Sequence, residues 1–247
     1  MRYLIISDIH SNLHALDAVL KEAKTVGYDQ VIVLGDLVGY GGDPEAVIDR
    51  TLALEPVAII RGNHDKVAAG IEPSSLFNDA ARVSIEWTAK VLPPSHLRIL
   101  KNLAKGPLTV TKDIEICHGA PFDEDYYIFD ADDALKALQI ATAPLCLYGH
   151  THVPAAFSTS GDAPPTTTAS EENVDKLKIA DAGRTIINVG SVGQPRDGDS
   201  RAAYGVYDVE SRVMEFRRVR YDVVGAQSRI TDAGMPPWLA LRLMRGQ

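Results

Sequence analysis

Six apolar runs of strand length recur along the chain, at Tyr3–Ile6, Val31–Leu34, Val57–Ile60, Ile114–Cys117, Leu145–Tyr148 and Ile186–Val189. Several are separated by segments whose apolar residues return with the helical period, and that alternation is the pattern of a layered α/β fold. What stands directly after the runs narrows the choice further. Asp8 and His10 follow the first, Asp36 the second, Asn63 and His64 the third, His118 the fourth, and His150 with His152 the fifth. Open α/β sheets place their ligands at strand ends, so a fold that aligns these ends gathers imidazoles, carboxylates and an amide in one place.

The connecting segments support the same architecture. Between the first two runs, Leu13, Leu16, Leu20 and Ala23 share one helical face, Ser11 or Asn12 suits the start and Gly27 the end, which gives a βαβ unit. Asp43-Pro44-Glu45 opens a second helix with Asp as its cap and with Val47, Ile48 and Leu52 as its buried stripe. The stretch from Phe77 to Leu103 is helical, with a break at Pro93-Pro94 and a new cap expected at Ser95. Another helix is expected over Ala134–Ala141. Ser158–Ser170 is rich in Gly, Pro, Thr and Ser without apolar period, so a surface loop or insertion is expected over 158–182. AAYGVYDVE and RVMEFRRVR form a hairpin pattern, and the segment from Asp222 reads as helical with a break at Pro236-Pro237. At 247 residues, one large domain is the expectation.

The chemistry-bearing residues fall in pairs. Residues i and i+2 of an extended segment point the same way, so Asp8 with His10, and His150 with His152, each aim two donors at one point. Burying such groups together without cations leaves costly unpaired atoms, and bound metal gives the clustering a reason. Mixed imidazole and oxygen donors suit Mn, Fe, Zn or Co rather than Ca. A formal net charge of −8 argues against broad nucleic-acid binding or attachment to an anionic membrane. Bound divalent cations reverse the sign of a cleft locally, which leaves a small anionic substrate open. No run approaches the ~18 apolar residues of a membrane span, and polar Ser7, Asp8 and His10 interrupt the first strand where a signal peptide stays apolar. Cys117 and Cys146 each lie inside an apolar run and read as buried reduced thiols, so a cytoplasmic protein is expected.

Taken in order, SDIHSNLHALDAVL, GDLVGYGGDP, RGNHD, HGAP, GHTH and INVGSVGQPRDGD resemble the calcineurin-like metallophosphoesterase superfamily, in its small stand-alone bacterial and archaeal phosphodiesterase branch, from Arg2 to about Tyr207. The resemblance implies a four-layer α/β/β/α sandwich of two mixed sheets flanked by helices. It also implies two divalent cations, with Mn²⁺ expected and Fe, Zn, Co or Ni as alternatives. One would be held by Asp8, His10, Asp36 and His152, the other by Asp36, Asn63, His118 and His150, with Asp36 bridging. The implied activity is hydrolysis of a phosphodiester or small phosphoester, a nucleotide among the candidates, by a hydroxide activated between the cations. His64, next to a ligand, is the candidate general acid, with Asp65 either orienting its imidazole or capping a helix.

One departure bears on substrate. Protein Ser/Thr phosphatases of the superfamily read GD-x-VDRG, whereas this chain has Gly39 and Tyr40 at the matching positions and lacks that phosphate-gripping Arg. Fewer cationic contacts favour a diester, with Tyr40 and Arg196 as candidate substrate contacts. A dinucleoside polyphosphate hydrolase, a phosphoprotein phosphatase and a catalytically silent protein-binding scaffold of the same fold are the competing readings.

Overall fold

A computed structural model describes residues 1–159, 166–167 and 174–247. Its strands, in chain order, are β1 (Arg2–Ile6), β2 (Gln30–Val33), β3 (Ala58–Ile59), β4 (Leu108–Thr111), β5 (Ile114–Ile116), β6 (Leu145–Tyr148), β7 (Ala155–Thr159), β8 (Thr166–Thr167), β9 (Val174–Lys178), β10 (Arg184–Asn188), β11 (Ala202–Asp208) and β12 (Val213–Val219). The helices are α1 (Leu13–Val26), α2 (Pro44–Leu52), α3 (Asn63–Ala68), α4 (Asp79–Val91), α5 (Pro94–Asn102), α6 (Ala131–Ile140), α7 (Val223–Asp232) and α8 (Pro237–Arg245).

The strands form two six-stranded mixed sheets, ordered β3-β2-β1-β11-β12-β9 and β4-β5-β6-β10-β7-β8. In the first, β1, β2 and β3 run parallel while β11, β12 and β9 add antiparallel pairings. In the second, β5, β6 and β10 are the parallel set. Strand parity sorts the side chains between layers. Tyr3, Ile5, Ile32 and Leu34 pack with Ile116, Leu147 and Ile187 in a core that draws on both sheets. The alternate residues Leu4, Ile6, Val31 and Val33 pack instead with Leu16, Val19, Val47 and Ile48 of α1 and α2. On the outside of the second sheet, Cys146, Tyr148 and Ile186 pack against Ala134, Ala137 and Leu138 of α6. Helix, sheet, sheet, helix is the four-layer order that the motifs imply.

Local details correct several expectations. Asp43 stands at the N-cap of α2 but makes no capping bond, because its carboxylate accepts from Arg229 Nε at 2.6 Å. Helix α5 begins at Pro94 with Pro93 at the cap, two residues before the expected cap at Ser95, since proline's fixed φ suits the first helical position. The expected loop over 158–182 is in part strand: Ser158 and Thr159 end β7, and Val174–Lys178 is an edge strand paired with β12. Asp175, Lys176 and Lys178 in that edge hide its pairing from an apolar-period test. Residues 160–165 and 168–173 of the expected loop lie outside the described residues. The hairpin is found as β11 and β12, and the C-terminal segment as α7 and α8. Cys117 and Cys146 are buried and free, with their sulfurs 3.7 Å apart. Among the described residues no helix is long and apolar enough to cross a membrane.

Candidate metal centre

The carboxyl ends of β1, β2 and β3 from one sheet, and of β5, β6 and β10 from the other, open onto the same cup. Asp8, His10, Asp36 and His152 bring one donor atom each within 4.8 Å of one another, and Asp36, His118 and His150 do the same. Asp36 belongs to both groups. Asn63 joins the second, its Oδ1 lying 3.2 Å from His118 Nε2. All seven residues singled out by sequence therefore meet in one place. The geometric reason differs from the one expected. Asp8, His10, His150 and His152 are not extended: their φ values are 52, 49, 67 and 63°. Of nine described non-glycine residues with positive φ, seven are Asp8, His10, Ser11, Asp36, Tyr40, His150 and His152. Left-handed backbone costs an L-residue about 1–2 kcal/mol, and such residues persist where the surroundings over-determine them.

Those surroundings are visible. Ser7 Oγ donates to Asp8 Oδ2 at 2.6 Å, and the His150 amide reaches the same carboxylate at 3.1 Å. The INVGS segment at the end of β10 braces both loops. Asn188 Nδ2 donates to the Gly149 carbonyl at 2.6 Å and Ser191 Oγ to the Asp8 carbonyl at 2.7 Å. Asp36 Oδ1 accepts from the His64 amide at 2.9 Å, and Gly62 lies so close that a Cβ there would fall 2.1 Å from that oxygen.

The hydrogen bonds fix what the cup can hold. A carbonyl only accepts, so the ring nitrogen that faces it carries the proton. His10 Nδ1 faces the Val38 carbonyl at 2.9 Å and His152 Nδ1 the Gln194 carbonyl at 2.6 Å. Their Nε2 atoms, left with bare lone pairs, stand 3.0 Å apart, with Asp8 Oδ1 3.4 Å from one and Asp36 Oδ2 3.5 Å from the other. Burial holds His10 down to about 4 and His152 well below the usual histidine range, so both rings are neutral. Two lone pairs and two carboxylates converge with no donor between them, and a cation is what such a group fits. In the second group, His118 Nδ1 donates to the Leu34 carbonyl at 2.8 Å and its Nε2 faces Asp36 at 3.4 Å. Burial pulls its pKa down, but the charge of Asp36 prevails and pushes it up to about 10, so positive charge is drawn to this point too. His150 donates Nε2 to the Asp125 carbonyl at 3.0 Å, which leaves Nδ1 free to ligate; burial holds the ring down to about 3. Burial raises the Asp8 carboxyl to about 6; the same effect on Asp36 is outweighed by the charges of His118 and His64, which hold it well below its usual range.

His64 lines the cup at the start of α3. Its ring centroid lies 4.8 Å from that of His10, 4.5 Å from Tyr40 and 4.6 Å from Phe77, and its Nδ1 is buried without a hydrogen-bond partner. Asp65 does not touch the imidazole. It accepts from the Gly62 amide at 3.0 Å and the Leu37 amide at 2.9 Å, so it caps α3 and ties it to the loop after β2. Gly39 explains the missing acidic partner: a Cβ there would lie 2.3 Å from His64 Nδ1, so the ring occupies the space a side chain would need. Arg196 is half-buried. Its terminal nitrogen lies 3.5 Å from Tyr40 Oη and 3.1 Å from Gln194 Oε1, and it also reaches Tyr127.

A model of the calcineurin-like phosphoesterase superfamily domain matches residues 1–212. The chain belongs to that superfamily. Its members are metal-dependent phosphoesterase hydrolases, and the clustered Asp and His residues accord with that chemistry. The uncharacterized protein MJ0912 of Methanocaldococcus jannaschii is 33% identical, over 98% of this chain and 97% of its own length. A metallophosphoesterase from Sphaerobacter thermophilus is 36% identical with a TM-score of 0.86, each chain covered in full. The hypothetical protein PH1004 of Pyrococcus horikoshii, 20% identical, shares the fold with a TM-score of 0.77 over 100% of this chain and 98% of its own.

Sequence reasoning missed several residues at this site. Tyr127 stacks on His150 with centroids 3.8 Å apart, and Lys66, nearly fully buried, bonds to Glu72, Glu124 and Asp125, tying α3 to the loop after β5. The aromatic cluster YYIF after HGAP was the available signal for Tyr127; Lys66 gave none, since Glu124 and Asp125 lie far away in the sequence.

Proposed function

We propose that the protein is a binuclear-metal phosphoesterase that hydrolyses a phosphodiester or small phosphoester. The observation that carries this is the pair of unprotonated Nε2 atoms of His10 and His152, 3.0 Å apart beside Asp8 and Asp36, together with a second donor group that shares Asp36. Asp8, His10, Asp36 and His152 would hold one divalent cation, and Asp36, Asn63, His118 and His150 the other, with Mn²⁺ as the favoured ion. When bound, such cations supply Lewis acidity toward a phosphoryl oxygen and lower the pKa of water.

The chain's own residues account for the rest. His64 stands at the wall of the cup with its Nδ1 buried against Gly39, so Nε2 is the nitrogen that would give a proton to the departing alcohol oxygen. Burial holds its pKa well below the usual histidine range, so the proton must be taken up beside an anionic substrate, which raises it. Arg196, spanning from Tyr40 to Tyr127 across the mouth, would pair with a non-bridging phosphoryl oxygen. No ligand position is lost, which favours an enzyme over a silent scaffold.

The test is to purify the protein without chelator, count bound metals, and compare bis-p-nitrophenyl phosphate with p-nitrophenyl phosphate. About two metal ions per chain and faster diester than monoester turnover are expected. A metal-free protein that takes up no Mn²⁺, or a loaded one that turns over neither ester, would refute the proposal.

A further inference from the structure

Arg242 lies on α8, beyond residue 212, where the match to the superfamily model ends. It nevertheless reaches the same tyrosine as Arg196. Tyr40, whose ring packs on His10 and His64, has the Arg196 guanidinium carbon 5.7 Å from its centroid and that of Arg242 5.6 Å from it. Arg196 Nε is buried without a partner, and Arg242 Nε donates to the Gln247 carbonyl at 2.9 Å. Among the described residues no side-chain carboxylate pairs with either guanidinium, whereas Arg61, Arg201, Arg217, Arg218 and Arg229 each have one. In a chain of net charge −8, two arginines held around one ring without acidic partners are conspicuous. Burial first, and the charge of Arg196 second, press the Arg242 guanidinium below its ordinary range.

An oligophosphate chain would relieve this. Its anionic oxygens match the planar donor face of a guanidinium, and two such faces beside the cup extend the anion-binding surface past the metal ligands. The cationic grip of the protein phosphatases is missing at position 40, where this chain has Tyr40. Arg196 and Arg242 restore positive charge there from two other parts of the chain, around the tyrosine that took the arginine's place. Resting on the phosphoesterase reading above, we infer that Arg196 and Arg242 form a second anionic subsite, and that the substrate carries a further phosphoryl group joined to the one attacked, as in a nucleoside oligophosphate.

The experiment uses the full chain loaded with Mn²⁺, with free Mn²⁺ held constant, and compares wild type with Arg242→Gln and Arg242→Lys. Inorganic orthophosphate and tripolyphosphate serve as inhibitors of bis-p-nitrophenyl phosphate hydrolysis, and calorimetric titration with each measures binding without turnover. Wild type should bind tripolyphosphate about tenfold more tightly than orthophosphate. R242Q should lose most of that preference and R242K should keep part of it, since the charge remains but the planar fork does not. Equal weakening of both anions in R242Q, or an unchanged preference in both variants, would overturn the subsite. A protein that shows the Arg242-dependent preference by calorimetry but turns over no ester would instead count against the phosphoesterase reading alone.

Discussion

The first donor group, Asp8, His10, Asp36 and His152, contains two carboxylates, whereas the second, Asp36, His118, His150 and Asn63, contains one that it shares and an amide in place of the other. Both have two imidazoles, each fixed by a bond from its far nitrogen to a backbone carbonyl. The contrast is thus one of charge on similar frames. An amide oxygen offers a dipole where a carboxylate offers a full charge, so the second position would hold its cation less tightly and release it first. Near-symmetric geometry need not mean equal affinity, and one residue, Asp36, keeps the two positions from being independent.

The strongest way to break this comparison is to remove what the halves share. Asp36→Asn should take the only carboxylate from the second position and leave the first with Asp8 alone, with metal content falling below two ions per chain and turnover falling by at least about 10³-fold. Full activity with two bound metals, measured by elemental analysis and diester kinetics, would contradict the bridging role. Next in size is His64→Ala, which leaves every donor in place. It should keep both metals and lose about 10²–10⁴-fold in rate on esters with poor leaving groups, and less on p-nitrophenyl esters. A loss that is the same for all leaving groups would remove the acid assignment.

A subtler change sharpens the contrast itself. Chelator titration of the wild type should remove metal in two steps, and Asn63→Asp, which gives the second group its own carboxylate, should draw the steps together by about tenfold in affinity. A single step in the wild type would dissolve the distinction between the positions.

The smallest effect concerns the chelated protein. His10 and His150, at about 4 and about 3, and His64 and His152 are all held below their unfolded value near 6.5, so the unfolded chain binds more protons and stability falls as pH drops from 6.5 toward 4. Asp8 and Asp65, raised to about 6 and about 7, act in the opposite sense, as does His118, raised to about 10, but these number three against four. Melting temperatures should therefore decline from pH 7 to pH 5. A flat or rising profile would show that the imidazoles are not buried as neutral rings.

Much of this was legible in the sequence because strand ends are marked by where an apolar run stops. Asp8, Asp36, Asn63, His118 and His150 each stand at such a stop, and the helical face of Leu16, Leu20 and Ala23 needed only period and burial. The convergence of paired donors was anticipated on a wrong geometry, since extended and left-handed backbone leave the same spacing in the sequence. Arg242 and Lys66 were invisible because Tyr40 for the one, and Glu124 with Asp125 for the other, are remote in the chain and no local period marks a side chain chosen for a distant contact. Strand β9 was hidden by its polar composition, as an edge strand with a wet face need not alternate.

The positive φ angles at Asp8, His10, Asp36, His150 and His152 carry a consequence for engineering. A library screened only for heat resistance should drift toward glycine or asparagine at these five places, because either relaxes the main chain there. Each such gain would discard a donor atom. Thermal selection and retention of the cup therefore pull in opposite directions at the same codons, and a stabilised descendant of this chain should be assayed for cation uptake before it is trusted as a catalyst.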